Sequence, residues 1–492
     1  MISALSASEN EHRDILSKLD SFNPLLILLN VSGMLPPLRI YSSRWKTNLY
    51  NVFSGVTFLS YIPLIVMQIM GIFEYSGNLL LVTVIIFQLA AYFDGMVTMA
   101  YFIYHRKRLL NTFYSVENKF NPFMQKVGNA QTQKKIILGN KKFERIISFV
   151  AMAAFLADMC TWCVLPSIVR YLAYFNEEEG TADVEVKQHL EYFILVMWLP
   201  QKASEFPCYE ILYIFQFFSV WGVVSNYAAG KLIIVSLYYH LSSHFRILAS
   251  AIEDIDVLCN NNTTKDECNT FSEEMTLNTS ANDTNVSLVK FTVEDLRRHF
   301  SVTQPENISD KDYTFPSECT KIFSREDVLS TAPEHRSEVT YLTHCIKFHQ
   351  VLLKFCVEVN DFLSNILLFD LIIFQILMCL PPLQLILGQN VSMVKFVSSI
   401  VDTGIWPLLI CFWGEDLSQQ SLSVQKAAYG CSWYNRSQRL KKLLQFIIMR
   451  TKKPVRMTAG KFYYISLETF ADKNLRHNWN ESVTCIRDHL DT

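Results

Sequence analysis

Charge is what this chain has least of. Asp, Glu, Lys and Arg make up 18% of its 492 residues, against about 25% in ordinary soluble domains. The few charges nearly cancel, to a formal net −2, so nucleic acid is not an expected partner. Metal-ligand spacings, a phosphate-binding glycine loop and a nucleophile with a matched base are all missing. No cofactor and no enzymatic activity are therefore expected. A secretory signal peptide is also missing. The first apolar stretch, residues 24–35, is short and follows Glu9, Glu11 and Asp14. It reads as a helix lying at the membrane surface. The 12 cysteines are scattered. Cys160 and Cys163 form a C-x-x-C inside an apolar run, where a thiolate would be poorly solvated. They read as small packing residues.

What the chain does have is long apolar runs. Half of it is hydrophobic, with 35 Phe and 22 Tyr. A helix needs about 20 such residues to cross hydrocarbon. Residues 47–73 carry no charge, and each later run carries one: Asp94 in 75–104, Asp158 in 146–169, Lys231 in 211–239, Asp370 in 362–387 and Asp402 in 396–414. The expected fold is all-α, a polytopic membrane protein with six clear transmembrane helices. The short loops set its orientation, because Lys and Arg stay in the cytoplasm. Arg39, Arg44 and Lys46 precede the first span. The loop between the second and third spans is strongly basic, and the next is acidic from Glu177 to Glu191. The N-terminus is expected inside.

Residues 253–338 differ from the rest. They are acidic and rich in Asn, Thr and Ser, too poor in apolar surface to fold alone. They read as a disordered cytoplasmic insertion. Its glycosylation triplets at Asn261, Asn262, Asn278, Asn282, Asn285 and Asn307 then never meet the glycosylation machinery. Beyond it, Cys345, Phe348, Leu352, Phe355 and Val359 keep helical spacing, which extends the fifth span below the membrane. The sixth span is expected to continue through Ala427 to Arg450, and the two extensions to form a cytoplasmic bundle. The cluster Arg439, Lys441, Lys442, Arg450, Lys452 and Lys453 is expected to face water or headgroups. His240, His244, His344 and His349 read as polar residues at the cytoplasmic surface. The resulting division is 1–46 (cytoplasmic N-terminus with the interfacial helix), 47–252 (four spans), 253–338 (insertion), 339–456 (two spans with extensions) and 457–492 (a partial seventh helix and polar tail).

A carboxylate at the bilayer centre costs roughly 2.5–3.5 kcal/mol on insertion scales. Asp158, near the middle of the third span, is expected to contact a polar ligand group, to pair with Lys231, or to face a water-filled crevice. Asp94, Asp370 and Asp402 are buried acids or lie nearer an interface. Tyr92 and Phe93 on the second span, Thr161 and Trp162 beside Pro166 on the third, and Phe218 and Trp221 on the fourth offer aromatic walls with few polar groups. That is the lining a small apolar ligand needs.

The C-terminal third carries a longer pattern. Cys411-Phe412-Trp413-Gly414-Glu415 is followed by Ala427-Ala428-Tyr429, Ser432-Trp433-Tyr434, Lys441-Lys442, Met449-Arg450 and Lys453-Pro454. Thr458-Ala459-Gly460-Lys461-Phe462 and Ser466-Leu467-Glu468-Thr469-Phe470 complete it. This order and spacing resembles the C-terminal signature of insect odorant receptors, in particular of a ligand-tuning subunit rather than the co-receptor. The resemblance implies a multi-pass plasma-membrane protein of sensory-neuron dendrites that binds a small volatile odorant among its helices. It also implies a heterotetramer with the co-receptor, held together by the cytoplasmic bundle, that gates a cation channel in membrane lipid. Tyr429, Trp433, Tyr434, Gly460, Lys461, Phe462 and Phe470 belong to that signature and anchor. The resemblance further implies a helix beginning near Gly460 that crosses the bilayer. Here residues 457–471 supply about 15 residues before Asp472-Lys473-Asn474, short of the length needed, so a truncated seventh helix is expected. A gustatory receptor of the same superfamily is the nearest alternative, and the Tyr429 to Tyr434 pattern argues against it. The inward N-terminus argues against a G-protein-coupled receptor.

Overall fold

A computed structural model describes residues 21–37, 43–175, 193–200, 203, 205–256, 333–387 and 391–471. Of the insertion expected over 253–338, residues 257–332 with their six glycosylation triplets lie outside the described residues, as do the acidic stretch 176–192 and the tail 472–492. The ends of that insertion are helical rather than disordered, Glu253 closing one helix and residues 333–338 opening another.

With no water to take up backbone polar groups, apolar runs must satisfy them internally, and they do so as helices. In chain order these are α1 (Asn23–Val31), α2 (Arg44–Glu74), α3 (Leu79–Tyr104), α4 (Arg106–Tyr114), α5 (Asn121–Met124), α6 (Ala130–Met159), α7 (Leu165–Phe175), α8 (Cys208–Glu253), α9 (Pro333–Leu387), α10 (Val391–Gly430), α11 (Gln438–Thr451) and α12 (Leu467–Thr469). A π turn, Cys160–Val164, joins α6 to α7. Six helical stretches among the described residues are long and apolar enough to cross a membrane: Trp45–Glu74, Leu79–Tyr104, Ala130–Ile168, Cys208–Glu253, Glu338–Leu385 and Val394–Gly430. The most apolar window of α8 is 83% buried and that of α2 only 22%. The fourth span is thus the axis of the bundle. The first lies at its rim, with Val52, Val56, Leu59, Ile62 and Val66 exposed toward lipid.

The largest apolar core sits at the end of the bundle that the charge asymmetry assigns to the cytosol. The last seven turns of α8 are buried there against α9, α10 and α11, with Phe245, Phe348, Leu352, Leu417, Leu440 and Ile447 at its centre. Several polar groups inside it are matched. His240 Nε2 lies 3.1 Å from the Glu144 carboxylate, to which Ser236 also donates. His244 Nε2 donates to the Val116 carbonyl at 2.8 Å. Arg246 reaches Asp416 at 2.7 Å.

Four expectations change here. The stretch 24–35 does not lie on the surface. Phe22, Leu25, Leu28 and Leu29 are fully covered, and the Phe22 ring packs against Phe113 and His240. Asn23 and Ile27 mark the face that stays exposed. His240, His244 and His349 are likewise interior rather than surface residues, because they bind carboxylate, carbonyl and ring partners. The sixth span does not continue unbroken to Arg450. It stops at Gly430, and Ser437 starts α11 as an N-cap that accepts from the Leu440 N–H. Arg450 is buried, apart from its neighbours in the basic cluster, and burial pulls its pKa down to about 10.

In the signature block, the helix begins at Leu467 rather than at Gly460. Residues 458–464 form a hairpin in which Thr458 pairs with Tyr464 and Ala459 with Tyr463. Gly460 and Lys461 turn it with φ of 61° and 69°. A Cβ on Gly460 would stand 2.6 Å from Leu368 Cδ2, so glycine serves both the left-handed backbone and the close approach to α9. The hairpin is clamped to α9. The Gly460 N–H donates to the Ser364 carbonyl, the Thr458 N–H to Asn360 Oδ1 at 2.7 Å, and Asn360 Nδ2 to Thr458 Oγ1 at 3.0 Å. Asn360→Ala is expected to cost about 1–3 kcal/mol, the penalty for orphaned, partly buried polar groups. A lowered thermal midpoint and faster proteolysis within 458–464 would register it. Phe470 stacks loosely on Phe374, ring centres 6.3 Å apart. Tyr429, Trp433, Tyr434 and Phe462 are exposed.

Candidate ligand cavity

A cavity of about 100 Å³ opens among the outer halves of the spans. Each helix contributes one face, as 3.6-residue periodicity requires. Phe87, Gln88, Ala91 and Tyr92 come from α3, and Val220, Val223, Val224 and Tyr227 from α8. Asp158 and Trp162 come from the α6–α7 joint, Leu377 from α9, and Ser399, Asp402 and Thr403 from α10. Leu195 closes the outer end. It belongs to a buried extended stretch held by two glutamines. Gln216 Oε1 accepts from the Ile194 and Leu195 N–H groups, and Gln88 Oε1 from the Val196 N–H at 3.0 Å.

Three prolines shape the lining. Proline lacks the N–H that would meet the carbonyl four residues back, and its ring crowds that carbonyl. Pro166, Pro381 and Pro407 each stand four residues beyond a lining residue: Trp162, Leu377 and Thr403. At Pro166 the helix loosens into the π turn, where Tyr213 Oη donates to the Cys163 carbonyl. The looser turn swings Trp162 inward. There the Phe87, Trp162 and Phe396 rings form a triangle with centres 5.9–6.3 Å apart.

A smaller cavity of about 60 Å³ lies deeper and shares Tyr227 and Leu377 with the first. Its polar centre is Lys231. Its Nζ is 2.8 Å from Asp370 Oδ1 and 3.5 Å from Asp94 Oδ2. The expected pairing of Lys231 with Asp158 is therefore replaced. Asp158 instead meets the Asp402 carboxyl, whose Oδ1 also accepts from Trp406 Nε1 at 3.2 Å.

Of the seven residues singled out in the sequence, Tyr92, Asp158 and Trp162 line the outer cavity. Phe93, one residue past Tyr92, is rotated off the lining face, half exposed, and packs on Phe369. Phe218 is 66% exposed on the outer side of α8. Trp221 packs behind the wall against Phe155. The Thr161 hydroxyl is spent on the Ala157 and Asp158 carbonyls and on Ser398. Phe87 and Gln88, about one turn before Tyr92 on α3, and Tyr227, on α8, also line it without standing out in the sequence.

A family model described as 7tm Odorant receptor matches residues 78–472. Odorant receptor 67c of Drosophila melanogaster is 27% identical over 145 residues, 30% of this chain and 36% of that one. The Odorant receptor coreceptor of Harpegnathos saltator is 28% identical over 138 residues, 28% of each chain. The matched stretch thus spans well under half of these curated relatives. The solved structure of the insect olfactory receptor OR5 from Machilis hrabei, in complex with eugenol, gives a TM-score of 0.63 at 13% identity, covering 96% of this chain and 97% of that one. At that identity the likeness is one of fold. With most of its length matched by the family model and six helices able to cross a bilayer, this chain is a multi-pass membrane protein of the 7tm odorant receptor family.

Proposed function

We propose that the chain is a ligand-tuning odorant receptor whose ligand occupies the outer cavity. The observation that carries this reading is the cavity itself: a ring-walled space in mid-bundle, capped by residues 193–200, with apolar atoms over most of its surface. The ligand is a small volatile. It biases a cation pathway toward its open form to the extent that it binds that form better. The working assembly is a heterotetramer with the co-receptor in the plasma membrane of a sensory dendrite, its N-terminus in the cytosol. Exposed Tyr429, Trp433 and Tyr434, at the foot of α10, supply an apolar surface for subunit contact. The division of the chain into four spans over 47–252, an insertion, and two further spans with cytoplasmic anchor extensions over 339–456 belongs to the same proposal.

Co-expression with the co-receptor, followed by recording of odorant-evoked cation current, tests it. Trp162→Ala is expected to raise the half-maximal odorant concentration about tenfold, because it removes one of the three rings and its dispersion contacts. A response that survives only with intact G-protein signalling would remove the channel reading.

A further inference from the structure

The outer cavity contains more polarity than an apolar odorant requires. Asp158 on α6 and Asp402 on α10 both line it and are hydrogen-bond neighbours. Two carboxyl groups hydrogen-bond to each other only through a shared proton, so the pair carries at most one negative charge. No Lys, Arg or His within 4 Å answers that charge among the described residues. The base among the lining residues, Lys231, is held by Asp94 and Asp370, and Lys395 stands over the Trp162 ring. Four carboxyl groups and one ammonium thus line the two neighbouring cavities. An independent feature lies across the same space. Tyr92 is 3% exposed and lines the cavity, and its hydroxyl, beside Ser219, completes no hydrogen bond of normal geometry. A buried polar group left in this state stands ready for a partner.

We propose that this cavity is tuned to a small basic amine. Its ammonium is held by Asp158 and Asp402, and its hydrocarbon lies among Phe87, Trp162 and Val220. The inference rests on the outer cavity being the ligand site of the proposed function, and it names the chemical class. An ammonium donates several hydrogen bonds and supplies the missing positive charge, so carboxylate and Tyr92 oxygens are satisfied together. An alcohol of the same skeleton donates one hydrogen and leaves the charge unanswered. Lys395 Nζ already stands 5.5 Å from the Trp162 ring centre, which directs a second cation toward the carboxyls rather than the indole.

The test uses the full chain purified in detergent, with direct binding of radiolabelled benzylamine and benzyl alcohol. Benzylamine should bind at least about tenfold tighter, the scale of one charge-assisted contact. Asp158→Asn together with Asp402→Asn should erase that margin, the amine losing about tenfold more affinity than the alcohol. Equal affinity of the unaltered protein for both probes, or no binding of benzylamine, overturns the proposal, and neither result depends on whether the variant folds. Because binding is read without current, a chain that binds the amine but passes no current with the co-receptor would sink the channel reading alone.

Discussion

Lys231→Met is expected to leave little folded receptor. Lys231 and Asp94 are 4% and 1% exposed, and Asp370 completes the cluster at 2.8 Å. Each residue comes from a different span, α8, α3 and α9, so the ammonium ties three helices at one depth. Neither Asp94 carboxylate oxygen has a hydrogen bond to fall back on. Removing the cation strands two carboxylates in the bundle interior. Breaking a buried pair this way costs about 3–5 kcal/mol, a large part of the roughly 5–15 kcal/mol that holds a typical domain folded. The expected result is a collapsed yield of monodisperse protein and a much lower thermal midpoint in detergent. Lys231→Met combined with Asp94→Asn and Asp370→Asn should recover most of both, since neutral groups of similar volume avoid the uncompensated charge. A single variant as stable as the parent would mean that the cluster does not hold the spans together.

That cluster also marks how far the sequence could be read. The charges themselves stood out, because each interrupts an otherwise uncharged run. Their partners did not. Pairing depends on the rotation of each helix about its axis, and in spans as uniformly apolar as α3 the hydrophobic pattern does not separate core from lipid. The same blindness explains the cavity. Tyr92 and Phe93 are equal candidates by composition, yet 100° of helical rotation puts one inside and the other against Phe369. Phe218 and Trp221 were preferred on α8 for their rings. The face that lines the cavity carries Val220, Val223, Val224 and Tyr227 instead, mostly plain valines. A physical signal was available in Pro166, Pro381 and Pro407. Counting four residues back from each gives one lining residue on each of three spans. The positive φ of Gly460 and the closeness of Leu368 belong to a tight hairpin, and the helix that the family resemblance placed there starts seven residues later, at Leu467.

Glycines inside the spans set how closely the helices approach, and the second large effect is expected at Gly95. A Cβ built there meets Val223 Cγ1 at 3.1 Å and the Val223 Cα and carbonyl oxygen at 3.3 Å. Part of that contact is backbone, which cannot swing aside as a side-chain tip would. From the other side, a Cβ on Gly230 would stand 2.5 Å from Thr98 Cγ2. The two positions make α3 and α8 cross nearly backbone to backbone, the arrangement small residues permit where lipid supplies no hydrophobic drive between helices. Gly95→Leu must push α3 off α8. Overpacking of this kind costs about 1–3 kcal/mol, and the displacement falls beside Val223 and within one turn of Tyr92, both in the cavity wall. Thermal midpoint and ligand response should therefore fall together, in the graded order Ala, Val, Leu. Gly55 on the rim helix α2 has nothing within 4 Å, so Gly55→Leu should shift neither. If Gly95→Leu binds ligand as the parent does, the close crossing of α3 and α8 does not set the shape of the cavity.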